Sequence, residues 1–565
     1  MHRSTSHGTG PVLVLSAIVI AAALLASCAK DTASEGAQGT QPPATRGALT
    51  NITQPASGPP RTGGKLAYGV EAETSGFNPT TDHWAIAGTL IGLAIFDPLA
   101  ARDNEGMAQP YLAEAFEHSD DFKTWTVKLR SGVKFHDDSP LTAEAVKRAF
   151  DGHLKSGLTR PAFGPLQSVE AVGPLSVRFN MSVPWAVFPG SLTGQAGVVP
   201  APSQLDSGDL SSSKPIGTGP FRFDSWIRDS SLVTKRFEGY WRKDSQGNQM
   251  PYLDELSFRP VVDNSQRKRA LDSGELQMFH TSDGPTIKTL RREATEGKVQ
   301  IVEDRGESEE GFVMFNTSAP PFDNINARKA VAYATDRDAY NETLSEGTNV
   351  VADGPFAPNT PWYIDTKFPT VDIEQAKHYA DQYQAETGKP IEFTLGVGGP
   401  DVKPNGELLQ QQWSQAGIKA QVNVVSQDKF ISEALVGNYQ ANLWRQFGSP
   451  DPDADYLWWT SENASGQFTL NFARNKDPEI DAALKTGRET TDPNLRREAY
   501  KKLQERFTAD VPYVWLDRSL WVIAANNKVR GIENGPLPDG KPSLPIGGAG
   551  FPGVHRFVQT WLAAS

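Results

Sequence analysis

The sequence predicts an α/β protein of more than one domain, and three observations carry that expectation. Its 565 residues exceed what one ordinary core accommodates, so two or three domains are expected. Near the start, residues 64–70 alternate like a strand, Gly76-Phe77-Asn78-Pro79 makes a turn, and 84–99 reads as a helix stopping at Asp97-Pro98. Further on, Leu408, Leu409, Gln412, Trp413 and Ala416 form a helical stripe ending at Gly417, and Ile418, Ala420, Val422 and Val424 alternate as the next strand. Helix, short turn and strand in repetition is α/β architecture. A hydrophobic content of 38% beside 22% charged residues fits a soluble globular chain, and a net charge of −12 without any basic block argues against a nucleic-acid partner.

Taken in order, the chain opens with Arg3 and an apolar run over 11–26 broken only by Ser16, too short and too weakly flanked for a transmembrane helix. The run ends in Leu25-Ala26-Ser27-Cys28, which matches a bacterial lipobox and makes residues 1–28 a lipoprotein signal peptide. Cys28 is the only cysteine, so its place directly behind the run reads as a lipidation site rather than a buried thiol, and no disulfide framework exists. Residues 29–61 are mostly Ser, Thr, Gly, Pro, Ala and Gln, a composition that buries no core. They are expected to be a flexible tether with a reach of roughly 30 Å.

The loop after the first strand carries Thr80, Thr81, Asp82 and His83, at the strand end where open α/β sheets place ligands. Trp125, Val127 and Leu129 alternate on one face of a strand, and Thr142 is the expected N-cap of a helix burying Ala145, Val146, Ala149 and Phe150. His136 beside Asp137 and Asp138 invites a metal or catalytic reading, but no second histidine stands at ligand spacing, and a turn is the simpler account. In Pro215-Ile216-Gly217-Thr218-Gly219-Pro220-Phe221, two glycines and flanking prolines suit a backbone that turns sharply and approaches other backbone closely. Phe221, Phe223 and Trp226, then Leu232 and Val233, read as strand, bend and strand. Later come a strand at 254–262, a helix ending at Gly274, a strand at 312–316, a helix over 327–337 and a helix from Asp372 to Gly388. Asp492-Pro493 starts a helix with Leu495, Ala499, Leu503 and Phe507 inward, followed by a strand over 511–516.

Motifs of chemistry are few. Gly548, Gly550 and Gly553 fit G-x-G-x-x-G, but Pro552 interrupts it and no long helix follows, so no dinucleotide cofactor is expected. No P-loop, H-E-x-x-H or G-x-S-x-G occurs, and a hydrolase would rest on scattered carboxylates alone. Asp451, Asp453, Asp455 and Glu462 stand at positions of a calcium-loop template in which Tyr456 replaces the required glycine and Pro452 stiffens the start. No metal is expected there.

The Pro215–Phe221 turn, the first strand with its Asn-Pro turn, the block from Trp125 through Asp138 and Thr142, the strand and helix over 312–337 and the Asp451-Pro452 pair together resemble the family 5 extracellular solute-binding proteins, cluster C type. These are the peptide- and nickel-binding lipoproteins that deliver ligands to ABC importers. The resemblance covers the chain from about residue 63 onward and implies a type II periplasmic-binding-protein-like fold of two lobes with an inserted domain. Lobe I would comprise 62–105, 215–306 and 516–565, the inserted domain 106–214, and the second large lobe 307–515. It implies a monomeric, non-enzymatic binder without cofactor. Its partners would be a small solute or peptide, permease subunits, and the outer face of the cytoplasmic membrane through the lipid on Cys28.

Site residues also follow by resemblance. Thr80, Thr81, Asp82 and His83 would face the ligand from lobe I, and Trp444, Arg445, Gln446, Phe447 and Gly448 from the second lobe. Peptide-binding relatives place an aspartate three residues before the acidic-Pro pair, where it holds the ligand's ammonium; here that position is Gly448. A buried ammonium needs a counter-charge, so Asp82 or another group would have to replace it, while Arg445 is available to a carboxylate. Trp444, Phe447, Trp458 and Trp459 are candidates to line the cavity. Oligopeptide, modified peptide, oligosaccharide and metal-chelate ligands remain open, as does a lipoprotein that keeps the fold without transport.

Overall fold

A computed structural model describes residues 51–55, 58–304, 309–358, 360–447, 450–466 and 469–564. Cys28, the signal peptide and most of the expected tether lie outside the described residues.

Three sheets organise the chain. A seven-stranded sheet runs in the order Val299–Glu303, Val522–Asn526, Met278–Thr281, Lys65–Val70, Glu255–Pro260, Ser231–Arg236 and Phe221–Ile227. A six-stranded sheet runs Val350–Val351, Tyr513–Ser519, Glu309–Phe315, Ala441–Phe447, Glu392–Val397 and Lys419–Val424. Between them in sequence, Ala113–His118, Thr124–Leu129, Ser176–Met181 and Leu166–Gly173 form a four-stranded antiparallel sheet with its own core around Trp125, Phe150 and Phe179. The result is the two-lobed α/β fold with an inserted domain. The chain passes between the large sheets twice, after Glu303 and after Ser519, and the passages are joined where the Asp304 amide donates to the Trp521 carbonyl at 2.9 Å.

The glycine-proline turn is the joint of lobe I. Helix Ile86–Ile95 is buried on every side, and the Gly219 amide donates to the Ile95 carbonyl at 2.9 Å. A Cβ on Gly217 would stand 2.2 Å from the Ile95 oxygen, and one on Gly219 2.5 Å from its carbon. Close approach therefore requires both glycines. His136 holds the turn from the inserted domain: its Nδ1 accepts from the Gly217 amide at 3.3 Å, and its Nε2 bonds the Gly219 carbonyl at 2.9 Å. That pattern sets a neutral ring with the proton on Nε2, and burial pushes its pKa down to about 4.

Most expected elements stand as read: Thr142 caps Ala143–Lys155 through the Ala145 amide, Asp372 caps Ile373–Thr387, and Gly274 and Gly388 close their helices in the left-handed region. Four expectations change. The segment ascribed to the tether is bound by Ile52, which exchanges two 2.9 Å hydrogen bonds with Ile301, while the Glu303 amide donates to Asn51 Oδ1 at 3.1 Å. The open edge of the Val299–Glu303 strand supplies those partners. The helix read over 327–337 is two, Ile325–Tyr333 and Arg337–Ser345, because the Asp336 side chain accepts from the Ala339 amide and starts a new helix. The strand read over 511–516 runs Tyr513–Ser519. In helix Pro493–Asp510, Leu495 is 54% exposed and Arg496 faces inward instead.

Candidate functional site

A cavity of about 430 Å³ opens between the lobes. Its wall is built chiefly from strands, helices and loops of the second large lobe, with lobe I contributing Ala85 and Ser282. At its centre Gly311 pairs in register with Arg445 on one neighbouring strand and with Asp517 on the other. Residues directly opposite in antiparallel strands share a face, so a cation and an anion flank a position with no side chain. The vacancy is needed, since a Cβ on Gly311 would lie 2.6 Å from Asp517 Oδ1.

The two charges differ in surroundings. Arg445 is 69% exposed at its side chain and donates through Nη1 to Glu309 Oε1 at 2.7 Å. Glu309 Oε2 in turn accepts from Trp521 Nε1 at 3.2 Å, in the second passage between lobes. Asp517 is only 8% exposed and has no ion pair among the described residues. Its Oδ2 accepts from Asn349 Nδ2 at 2.6 Å, and burial pushes its pKa up to about 6.

Aromatic rings close the other side. Trp444 stacks on Phe430 with centroids 5.0 Å apart and touches Phe472 at 5.1 Å. Trp458 packs on Phe472 at 5.3 Å, and its Nε1 is buried without a partner among the described residues. The lobes meet around this space: Lys288 Nζ lies 3.3 Å from Glu346 Oε2, and Gly284 lies so near Ser345 that a Cβ would stand 2.4 Å from its carbonyl.

The expected second-lobe residues Trp444, Arg445 and Gln446 line the cavity. Gly448 and the side chain of Phe447 lie outside the described residues. Thr80, Thr81, Asp82 and His83, expected from lobe I, are not among the residues lining this cavity. They fold into their own turn: Thr80 Oγ1 donates to Asn78 Oδ1 at 2.9 Å, Asp82 Oδ2 accepts from the Asn78 amide at 2.7 Å, and the amides of Thr81 and Asp82 return to the Asn78 carbonyl. The His83 amide donates to Ser75 Oγ at 3.0 Å, and the Asp82 carbonyl accepts from Gln195 of the inserted domain at 2.8 Å. Trp459 belongs to the core, against Phe507. The calcium template is used otherwise: Asp451 pairs with Arg496 at 2.5 Å, Asp453 with Arg488 at 2.6 Å, and Asp455 accepts from Gln446. Asp453 also accepts from Trp185 Nε1 at 2.9 Å, which docks the inserted domain on the second lobe.

Sequence reasoning missed Asp517 and Glu309. The only signal was Asp517-Arg518 continuing an apolar strand, where charge is unusual.

The profile of bacterial extracellular solute-binding proteins, family 5 Middle, matches residues 108–467. The chain belongs to this family. As a family 5 protein it is a binder of solutes and not an enzyme. It is 30% identical over 437 residues to the glutathione-binding protein GsiB of Pectobacterium atrosepticum, across 74% of this chain and 82% of the relative. Among solved structures it resembles DppA from Helicobacter pylori in complex with peptide STSA, with a TM-score of 0.74 and 22% identity, covering 89% of this chain and 99% of that one. AgaA from A. tumefaciens R10, in complex with agropinic acid, matches at a TM-score of 0.74 and 24% identity, with 89% and 99% covered. These likenesses carry the family 5 fold across nearly the whole described chain.

Proposed function

We propose that this chain is the solute-capturing component of an ABC importer, held outside the cytoplasmic membrane by a lipid on Cys28, and that it takes a short peptide or peptide-like zwitterion. The observation that carries the reading is the interlobe cavity, with Arg445 and Asp517 on either side of Gly311 and an aromatic wall beside them. Its volume of about 430 Å³ lies in the lower part of the range for small-ligand sites and favours a compact solute. The names of two similar proteins point the same way, since glutathione and a tetrapeptide each carry a free ammonium and carboxylate. Residues 29–50 would be the tether, shorter than the composition alone suggests because Asn51 and Ile52 are already bound.

The mechanism is closure without bond-making. A solute touching both lobes favours the closed state by its greater affinity for that state, and the paired passages after Glu303 and Ser519 are where the lobes would hinge. Mass spectrometry of the protein isolated natively under non-denaturing conditions tests the ligand class, with a peptide or amino-acid conjugate as the expected cargo. Small-angle scattering tests closure: a smaller radius of gyration is expected on adding glutathione or Ser-Thr-Ser-Ala. A sugar or metal chelate as sole cargo, with no scattering response to either compound, would overturn the peptide reading.

A further inference from the structure

We infer that Asp517 is the anchor for the ligand's cationic group, taking from a neighbouring strand the role for which position 448 offers no carboxylate. The inference rests on the peptide-like reading above and names the residue that would decide it. Three observations support it. Asp517 lines the cavity and is nearly buried, yet among the described residues it meets one neutral donor, Asn349, and makes no ion pair. Glycine at position 311 leaves its Oδ1 uncovered from the sheet side, where any other residue would collide with it. Across that gap Arg445 stands about 10 Å away at the backbone, two strand spacings, its side chain mostly exposed and held through Nη1 by Glu309. A buried carboxylate without a counter-charge is costly in the empty protein, and a ligand ammonium supplies what the fold withholds. Trp458, on the same wall, keeps its buried Nε1 without a partner among the described residues, a second polar group that the fold leaves short.

The groups acting on Asp517 are Tyr340 from helix Arg337–Ser345, Asn349 from the turn after it and Glu309 from the central strand; Arg518, its chain neighbour, sends its guanidinium to Glu310 and the Gly354 carbonyl. Burial, reinforced by Glu309, raises the Asp517 pKa to about 6. Affinity for a cation should therefore hold at pH 7.5 and fall about tenfold by pH 5, as the free-state carboxylate takes up a proton. A peptide amine, with a pKa of about 7.7–8, is more protonated at pH 5, so the loss must come from the protein.

The test uses calorimetric titration of the full chain with Ser-Thr-Ser-Ala and glutathione, each free and N-acetylated. For the wild type, free amines are expected to bind at least tenfold more tightly than acetylated forms at pH 7.5, with that preference shrinking at pH 5. In Asp517→Asn the preference should vanish at both pH values. Retention of the full preference by the variant overturns the inference, and so does a wild-type preference that does not change with pH, a measurement needing no variant. If no probe binds the wild type, the peptide reading fails by itself, and melting of the unliganded proteins decides the role of Asp517. Asp517→Asn more stable than the wild type at pH 7.5 supports a carboxylate left uncompensated for a cationic ligand; a less stable variant overturns it.

Discussion

Asp451 and Asp517 are both buried carboxylates of the second lobe, and the fold treats them oppositely. Asp451 is fully buried against Arg496, itself fully buried, which also donates to the Gly487 carbonyl at 2.9 Å and is stacked 4.7 Å above the Trp362 ring. Asp517 has a single amide donor and a cavity in front of it. A charge that the fold itself pairs with an opposite charge is part of the architecture, whereas one that faces a cavity without a counter-charge is a place where a solute completes the structure. Among buried charges, the informative one is therefore the one that borders the cavity without an ion pair.

The largest effect should come from breaking the Asp451–Arg496 ion pair. Asp451→Asn removes a buried counter-charge of Arg496, which should cost about 3–5 kcal/mol in urea unfolding. Asp517→Asn should go the other way. Its carboxyl has a raised folded-state pKa near 6, so burying the ionised form costs stability at every pH above 6, and the cost is relieved as pH falls toward the unfolded value of about 3.9. The gap of roughly two units corresponds to an upper bound of about 3 kcal/mol gained by the variant at pH 7.5, shrinking to nothing near pH 4. The comparison must be a difference between variant and wild type, because three histidines with lowered pKa values act in the background. His136, His153 and His555 have pKa values lowered to about 4, 3 and 3. Each stabilises the fold above the unfolded histidine value of about 6.5 and loses that contribution as pH falls through the interval down to its folded value. These contributions, and the opposing one of Asp97, whose pKa burial raises to about 7, are common to both proteins, so only their difference, which should close as pH falls toward 4, reports on Asp517. A difference independent of pH would remove the charge of Asp517 from the explanation.

A smaller, purely geometric perturbation sharpens the same contrast. Gly311→Ala places a methyl group 2.6 Å from Asp517 Oδ1, so the carboxylate must move. We expect binding of a free-amine peptide to weaken about tenfold, or about 1.4 kcal/mol, with a fall in melting temperature of only a few degrees. Equal binding by variant and wild type would show that the slot between Arg445 and Asp517 is not where the ligand's charges sit.

Much of the fold was legible because local rules and tertiary demands agreed. Gly217 and Gly219 announced close backbone approach, Thr142 and Asp372 announced helix starts, and each does that work. Where the reading slipped, a long-range partner had overridden a local preference. Leu495 looked like the inward residue of its helix, but the helix is phased by Arg496 reaching Asp451, 45 positions away in sequence. The cavity wall was half legible: Trp444 and Arg445 share one strand, so resemblance reached them together. Asp517 meets them only through the strand order 513–519, 309–315, 441–447, which no spacing within the chain reveals.

The smallest effect is expected where sequence reasoning placed a ligand contact and the structure places a turn. Asp82 accepts from the Asn78 amide at 2.7 Å, and its own amide returns to the Asn78 carbonyl at 2.9 Å. Both bonds close the loop on itself, and the Asp82 carbonyl accepts Gln195 from the inserted domain rather than facing the cavity. Asp82→Ala removes one side-chain acceptor and leaves the backbone bonds, so a loss of about 1 kcal/mol is expected in thermal or urea unfolding. Ligand affinity should stay within twofold, because the carboxylate is absent from the cavity wall and already occupied. A tenfold loss of peptide affinity in Asp82→Ala, without loss in Asp517→Asn, would reverse the comparison: the loop would then hold the ammonium, and Asp517 would be an acceptor for Asn349 alone. The two variants measured side by side separate these outcomes, since each hypothesis assigns the large binding effect to a different lobe.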